Sequence, residues 1–237
     1  MLFLALPLAL ADETTLVYDV FVGGKDVGDR TVVVRYLPRE GGERRILSVV
    51  TQAELPVGAV RARASGQSSG RGASFTTSIE VAGAVSEVQG IEAPAGAWQV
   101  VVADSAGVHE SAYTAADVHF TTLDLYDPAR TRLLTDTGQV GVLVAETGGV
   151  LEGQLAPGVP ANVKVGGKSL AGTRYVLSGA AGEASFVVDS NGFLLSSELS
   201  LFGTTFRTVV TRAPEPRSYG TIDVVEGPGG GTKEAEL

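Results

Sequence analysis

The stretch 163–211 constrains the fold more than any other, because it reads as four consecutive antiparallel strands with their turns written in. Tyr175 and Leu177 share one face of the segment 174–179, and Ala184, Phe186 and Val188 share one face of 183–189. Ser190-Asn191-Gly192 then supplies a tight turn. Phe193, Leu195, Leu199 and Leu201 resume the apolar side, while Ser196, Glu198 and Ser200 point the other way. A period of two with Asn-Gly between the runs is a strong short-range hairpin signal. It predicts a mainly all-β chain, an antiparallel meander with one apolar side.

The rest of the chain extends this pattern. Residues 16–22 form a strand broken by Gly23-Gly24, with 29–37 as its hairpin partner and 44–55 as a third strand beyond a turn at 38–43. Residues 59–64 follow, and the Gly/Ser-rich segment 65–73 reads as a mobile loop. Further strands fall at 75–81, 85–91, 98–103 and 107–113. The period of two is lost over 114–132, which contains Asp127-Pro128 and reads as one or two helical turns in an irregular crossover. Strands resume at 139–146 and 150–155, with a loop at 157–160. No internal repeat of fixed length appears, which disfavours a propeller or solenoid. The expected architecture is a single, strongly curved antiparallel sheet, a half-open β-barrel with a short helical crossover.

Composition limits what such a sheet can do. Of 237 residues 44% are hydrophobic but only 6% aromatic, so Val, Leu and Ala carry most of the packing. The net charge of -9 argues against a nucleic-acid partner, since phosphate neutralisation needs a basic face. Residues 2–11 are an apolar run ending Ala9-Leu10-Ala11, followed by Asp12-Glu13. Small residues at the third and first positions before an acidic start resemble a signal-peptidase site, and ten residues are too few to span a bilayer. No Lys or Arg precedes the run, so either the true start lies upstream or the segment is a buried strand. Export to the periplasm or medium is the expectation, with 1–11 as signal peptide and 12–213 as the β domain. The tail 214–237, Pro/Gly-rich and acidic, is expected to be disordered. No stretch is apolar enough to cross a membrane as a helix. Zero cysteines exclude disulfides, a thiol nucleophile and a zinc–thiolate site.

Two segments carry a resemblance. Leu16-Val17-Tyr18-Asp19-Val20-Phe21-Val22-Gly23-Gly24-Lys25-Asp26-Val27-Gly28 resembles the opening of exported bacterial β-proteins of unknown function. Gly172-Thr173-Arg174-Tyr175-Val176-Leu177-Ser178-Gly179, followed by Phe186-Val187-Val188-Asp189-Ser190-Asn191-Gly192, is similar to their closing half. Those proteins look like relatives of the periplasmic lipoprotein-carrier fold. The resemblance implies a half-closed antiparallel barrel around an apolar cavity plugged by short helices.

Few residues suggest chemistry. Gly66-Gln67-Ser68-Ser69-Gly70 matches the string of a nucleophile elbow, but Arg71-Gly72-Ala73-Ser74 cannot open the helix that motif requires. His109-Glu110 and Asp117-Val118-His119 have metal-ligand residue types, yet two histidines without cysteine make a thin site. Asp124, Asp127 and Glu110 offer carboxylates for acid–base work, although Asp127-Pro128 is more simply a helix cap with proline at the first helical position. Arg61 and Arg63 alternate onto one face, as an anion contact or as solvated outward arginines. The expectation is therefore no enzyme, no metal and no cofactor.

The apolar faces carry the functional reading. Leu16, Tyr18 and Val20 share one side of the first strand, and Phe75 and Ile79 share one side of another. Trp98, Val100 and Val102 do the same, as do Phe186 and the series Phe193, Leu195, Leu199 and Leu201. Such faces form either a filled core or the wall of a cavity for a lipid or acyl chain. A binding or carrier protein is the first expectation. A structural or assembly component of the cell envelope, contacting other proteins through sheet edges and tail, is the alternative.

Overall fold

The computed structural model describes residues 12–39, 42–69, 72–131, 138–180, 182–201 and 203–214. The expected signal peptide and the tail beyond Pro214 lie outside the described residues. Strands β1 (Asp12–Val22), β2 (Lys25–Arg39), β3 (Gly42–Leu55) and β4 (Gly58–Ser69) open an up-and-down meander. It continues through β5 (Gly72–Val81), β6 (Ala84–Glu92), β7 (Trp98–Asp104) and β8 (Gly107–Tyr113). After the crossover come β9 (Phe120–Thr121), β10 (Gly138–Leu143), β11 (Val150–Leu155) and β12 (Val159–Val165). β13 (Lys168–Gly179), β14 (Gly182–Val188), β15 (Leu194–Leu201) and β16 (Thr204–Val210) complete the chain order.

All belong to one sheet in the order β8-β7-β6-β5-β4-β3-β2-β1-β16-β15-β14-β13-β11-β10-β9, with β12 paired to β13. The first and last strands meet in its middle, Tyr18 opposite Val210 and Val22 opposite Phe206. Every pair is antiparallel except β9–β10, where Phe120 and Thr121 run parallel to Val142 and Leu143. The expected all-β, strongly curved open sheet is what forms.

Register decides which side chains face inward. Leu16, Tyr18 and Val20 pair with Val32, Arg30 and Gly28, and Val32 and Val34 pair with Val49 and Leu47. The inward row continues through Ala64, Thr77, Val88 and Val102. These positions are buried, apart from the partly buried Gly28, Arg30 and Val102, because the crossover folds inside the sheet as a plug. Thr122–Tyr126 is a 3₁₀ helix opened by a capping box: Asp124 N–H donates to Thr121 Oγ1 at 3.2 Å, and Thr121 N–H donates to Asp124 Oδ2 at 2.7 Å. Helix α1 (Pro128–Thr131) follows at once.

Among the described residues the sheet's two edges form no ladder with each other. Instead the Tyr113 hydroxyl at the end of β8 donates to Gly148 O, in the β10–β11 loop, at 3.0 Å. Gly148 sits at φ +73°, and a Cβ there would lie 2.6 Å from Val102 Cγ2, so only glycine lets this loop lie on the inner face.

Four expectations need correction. The Gly/Ser-rich segment 65–73 is not a loop, since β4 runs to Ser69 and β5 starts at Gly72, with Gly66 paired to both Leu47 and Phe75. Hydrogen-bonded neighbours on both sides override the weak strand propensity of Gly and Ser. The 38–43 turn is tighter than expected, because Pro38 still pairs with Glu43. The 157–160 loop ends early, because β12 begins at Val159.

Leu195 is the fourth. A bulge between Val187 and Val188 makes Ser196 and then Leu194 their partners, leaving Leu195 as the extra residue. It lies with Val187 at Gly172: a Cβ on Gly172 would be 2.9 Å from Val187 Cγ1 and 3.3 Å from Leu195 Cδ1. The β12–β13 hairpin covers this outer face, where Val187 and Val209 stay buried although their strand neighbours point inward. Leu195 therefore does not continue the apolar row of Leu199 and Leu201.

Candidate functional site

A cleft opens between the plug and strands β14 to β16. Phe120, Leu125 and Tyr126 form one wall, while Phe186, Leu199, Leu201 and Phe206 form the other. Leu151 and Leu177 close one end. The cleft encloses about 610 Å³, including space open to solvent. It is narrow, with room for a few waters as it stands. Phe120, Leu125, Leu199, Leu201 and Phe206 are only half-buried along it.

Arg30 lies at its floor, on the inward side of β2 between Gly28 and Val32. Arg30 Nε donates to Thr51 Oγ1 at 2.8 Å, and Nη1 donates to the Tyr126 hydroxyl. Its guanidinium carbon lies 5.9 Å from the centre of the Tyr126 ring. Burial weakens the charge, but the Tyr126 and Glu146 groups more than offset it, so Arg30 is held above its ordinary range. Glu146 accepts from Thr122 Oγ1 at 2.9 Å, and Thr122 Oγ1 also accepts from Ala145 N–H at 3.1 Å. These bonds tie the plug to the loop after β10.

Tyr18 anchors the plug from the other side. Its ring meets Tyr126 edge-on at 5.7 Å, and its hydroxyl donates to Leu194 O at 3.0 Å. Burial, then the neighbouring Tyr126, holds the Tyr18 hydroxyl well above its usual range, so it stays a donor. A second cleft of about 440 Å³, also open to solvent, lies between Leu47, Gly66, Phe75 and Trp98 on the sheet and Leu123 on the plug. Phe75 and Trp98 pack at 5.7 Å between ring centres.

The apolar residues marked in the sequence divide accordingly. Leu16, Tyr18, Val20, Ile79, Val100 and Phe193 are buried, and none of them lines either cleft. Phe186, Leu199 and Leu201 border the first cleft, and Phe75 and Trp98 border the second. Arg61 and Arg63 are exposed on the outer face, and Arg61 lies 4.0 Å from Glu80 across the ladder. Sequence reasoning missed Arg30. Period two places it on the same side as Val32, Val34 and Tyr36, and a charged residue on an apolar strand face is the signal that would have found it.

The polar motifs take structural roles. Gln67 of the Gly66–Gly70 string bonds Arg44 and Ser74 Oγ across the strands. Ser68 and Ser69 lie on β4, with no strand-to-helix elbow. His119 Nδ1 accepts from Gly141 N–H at 3.0 Å, Asp117 accepts from Thr114 N–H and Oγ1 at 2.7 Å each, and His109 is exposed on β8. Among the described residues no three His, Asp or Glu side chains group as a metal site. Asp124 serves the capping box and lies 3.4 Å from Arg130, while Asp127 precedes Pro128 and meets Arg45 at 3.1 Å. Glu110 sits exposed on β8, apart from these contacts.

No family model matches the chain, and no curated protein matches it in sequence. Among solved structures it is similar to a β-barrel-like protein of the domain of unknown function DUF1849 from Brucella abortus, with a TM-score of 0.51 and 11% identity. That similarity covers 85% of this chain and 96% of the other. The likeness is one of fold, a β-barrel-like sheet.

Proposed function

We propose that this is an exported, non-enzymatic protein that binds or carries an apolar molecule, such as a lipid or acyl chain, in the cleft between its plug and β14 to β16. The observation that carries this reading is the contiguous set of half-buried large apolar side chains, Phe120, Leu125, Leu199, Leu201 and Phe206, on two facing walls. Covering such surface is worth roughly 25 cal/mol per Å². An occupant that parts the walls recovers that energy on both sides. The narrow free space makes movement of the 120–125 segment part of binding. That segment is a two-residue strand and a short 3₁₀ helix, which are low-stability elements. The sequence resemblance to plugged half-barrel carriers points the same way.

The experiment is isolation from the cell envelope fraction of the native host, followed by amino-terminal sequencing and mass spectrometry of an organic extract. The reading expects a chain starting at Asp12 and an apolar compound in the extract. Intact Met1 in the cytosol with an empty extract contradicts it. The unpaired outer edge of β8, exposed along its length except at Tyr113, favours a second reading as an envelope assembly component that pairs with another strand.

A further inference from the structure

We infer that the cleft's ligand is a single-chain amphiphile with an anionic head, which meets the Arg30 guanidinium while its tail lies along Leu125, Leu199 and Phe206. This rests on the binding function proposed above and deepens it. A guanidinium carries five N–H donors. Protein acceptors take one at Nε, from Thr51, and one at Nη1, from Tyr126. Both acceptors are neutral hydroxyls. Among the described residues no carboxylate lies within 4.0 Å of Arg30, whereas Arg35, Arg45, Arg61, Arg130 and Arg174 each have at least one.

Charges drawn away from water are normally paired at close range. Glu146 lines the same cleft and acts on Arg30 from beyond 4.0 Å, with its carboxylate taken up by the Thr122 hydroxyl. The remaining Arg30 donors thus form a cationic spot at the bottom of a cleft with apolar walls. A planar fork suits a carboxylate or a phosphate monoester, each offering two oxygens. Glu198 also borders the cleft, but it belongs to the outward side of β15, opposite Arg207, and does not oppose an inward-lying head.

The test uses the mature, full-length protein and three probes sharing one tail: dodecanoate, dodecyl phosphate and dodecanol, with affinities from titration calorimetry below their micelle concentrations. Both anions are expected to bind at least about tenfold more tightly than the alcohol, the yield of one charge-assisted hydrogen bond. A preference for one anion over the other assigns the head as carboxylate or phosphate. Arg30→Met should reduce the anions to the alcohol's affinity and leave dodecanol unchanged, while Arg61→Met on the outer face should change nothing. The wild-type comparison stands even if Arg30→Met fails to fold. Equal binding of acid and alcohol overturns the anionic head but leaves the apolar-ligand reading intact. No binding by any of the three overturns both.

Discussion

Tyr126→Ala is expected to lower the stability of the folded domain by about 3–5 kcal/mol, the usual cost of deleting a buried aromatic side chain. In a domain of this size that corresponds to a fall in thermal midpoint of roughly 6–20 °C. Tyr126 is buried, packs edge-on against Tyr18, and accepts from Arg30, so its loss empties the centre of the plug and removes an acceptor from a guanidinium. Tyr126→Phe removes only the hydroxyl and should cost about 1.5–3 kcal/mol, the range for a hydrogen bond to a charged group. Urea unfolding of the three proteins gives the values directly. Equal, small effects from both substitutions would mean that the plug does not support the sheet.

Leu195 and Leu199 should behave differently although they are four residues apart on one strand. Leu195 is 0% exposed beside Val187 under the β12–β13 hairpin, so Leu195→Ala should cost about 2–5 kcal/mol. Leu199 is half-buried on the cleft wall, where fewer neighbours are lost on truncation. Leu199→Ala should therefore cost about 1 kcal/mol or less. Its effect should instead appear as weaker retention of an apolar ligand. The same denaturant series measures both. Equal losses would place Leu199 in ordinary core.

The sheet was legible wherever hydrophobic period and turn chemistry agreed. Asp189 Oδ1 accepts from the N–H groups of Asn191 at 2.9 Å and Phe193 at 2.8 Å, and Gly192 takes φ +90°, as the Ser-Asn-Gly turn required. The plug was legible as a lapse of period two, with Asp127-Pro128 before a helical turn. What escaped was set by tertiary contact. Gly66 stays in a strand because ladders flank it and because Leu123 of the plug lies 3.3 Å from where its Cβ would be.

The covered outer face of β14 to β16 left a quieter signal. Val187-Val188, Leu194-Leu195 and Val209-Val210 are adjacent apolar pairs, which a sheet wet on one side would not need. The hairpin that covers them bends away from the barrel path, since β13 pairs with β12 through its first half and with β11 only at Leu177 and Ser178. Nothing in a strand's own sequence announces such a change of partner. The site was less legible than the fold, because a cleft depends on how far the plug stands from the wall, which periodicity does not encode.

The proposed function stands on occupancy of the cleft between plug and β14 to β16 by an apolar tail. A crystal structure of the protein grown with dodecanoate tests it most directly. Continuous density is expected between Leu125 and the row Leu199, Leu201 and Phe206, with the 120–125 segment displaced outward and the carboxylate end near Arg30. An unoccupied, unmoved cleft at saturating dodecanoate, or a ligand bound only on the outer face, would contradict it.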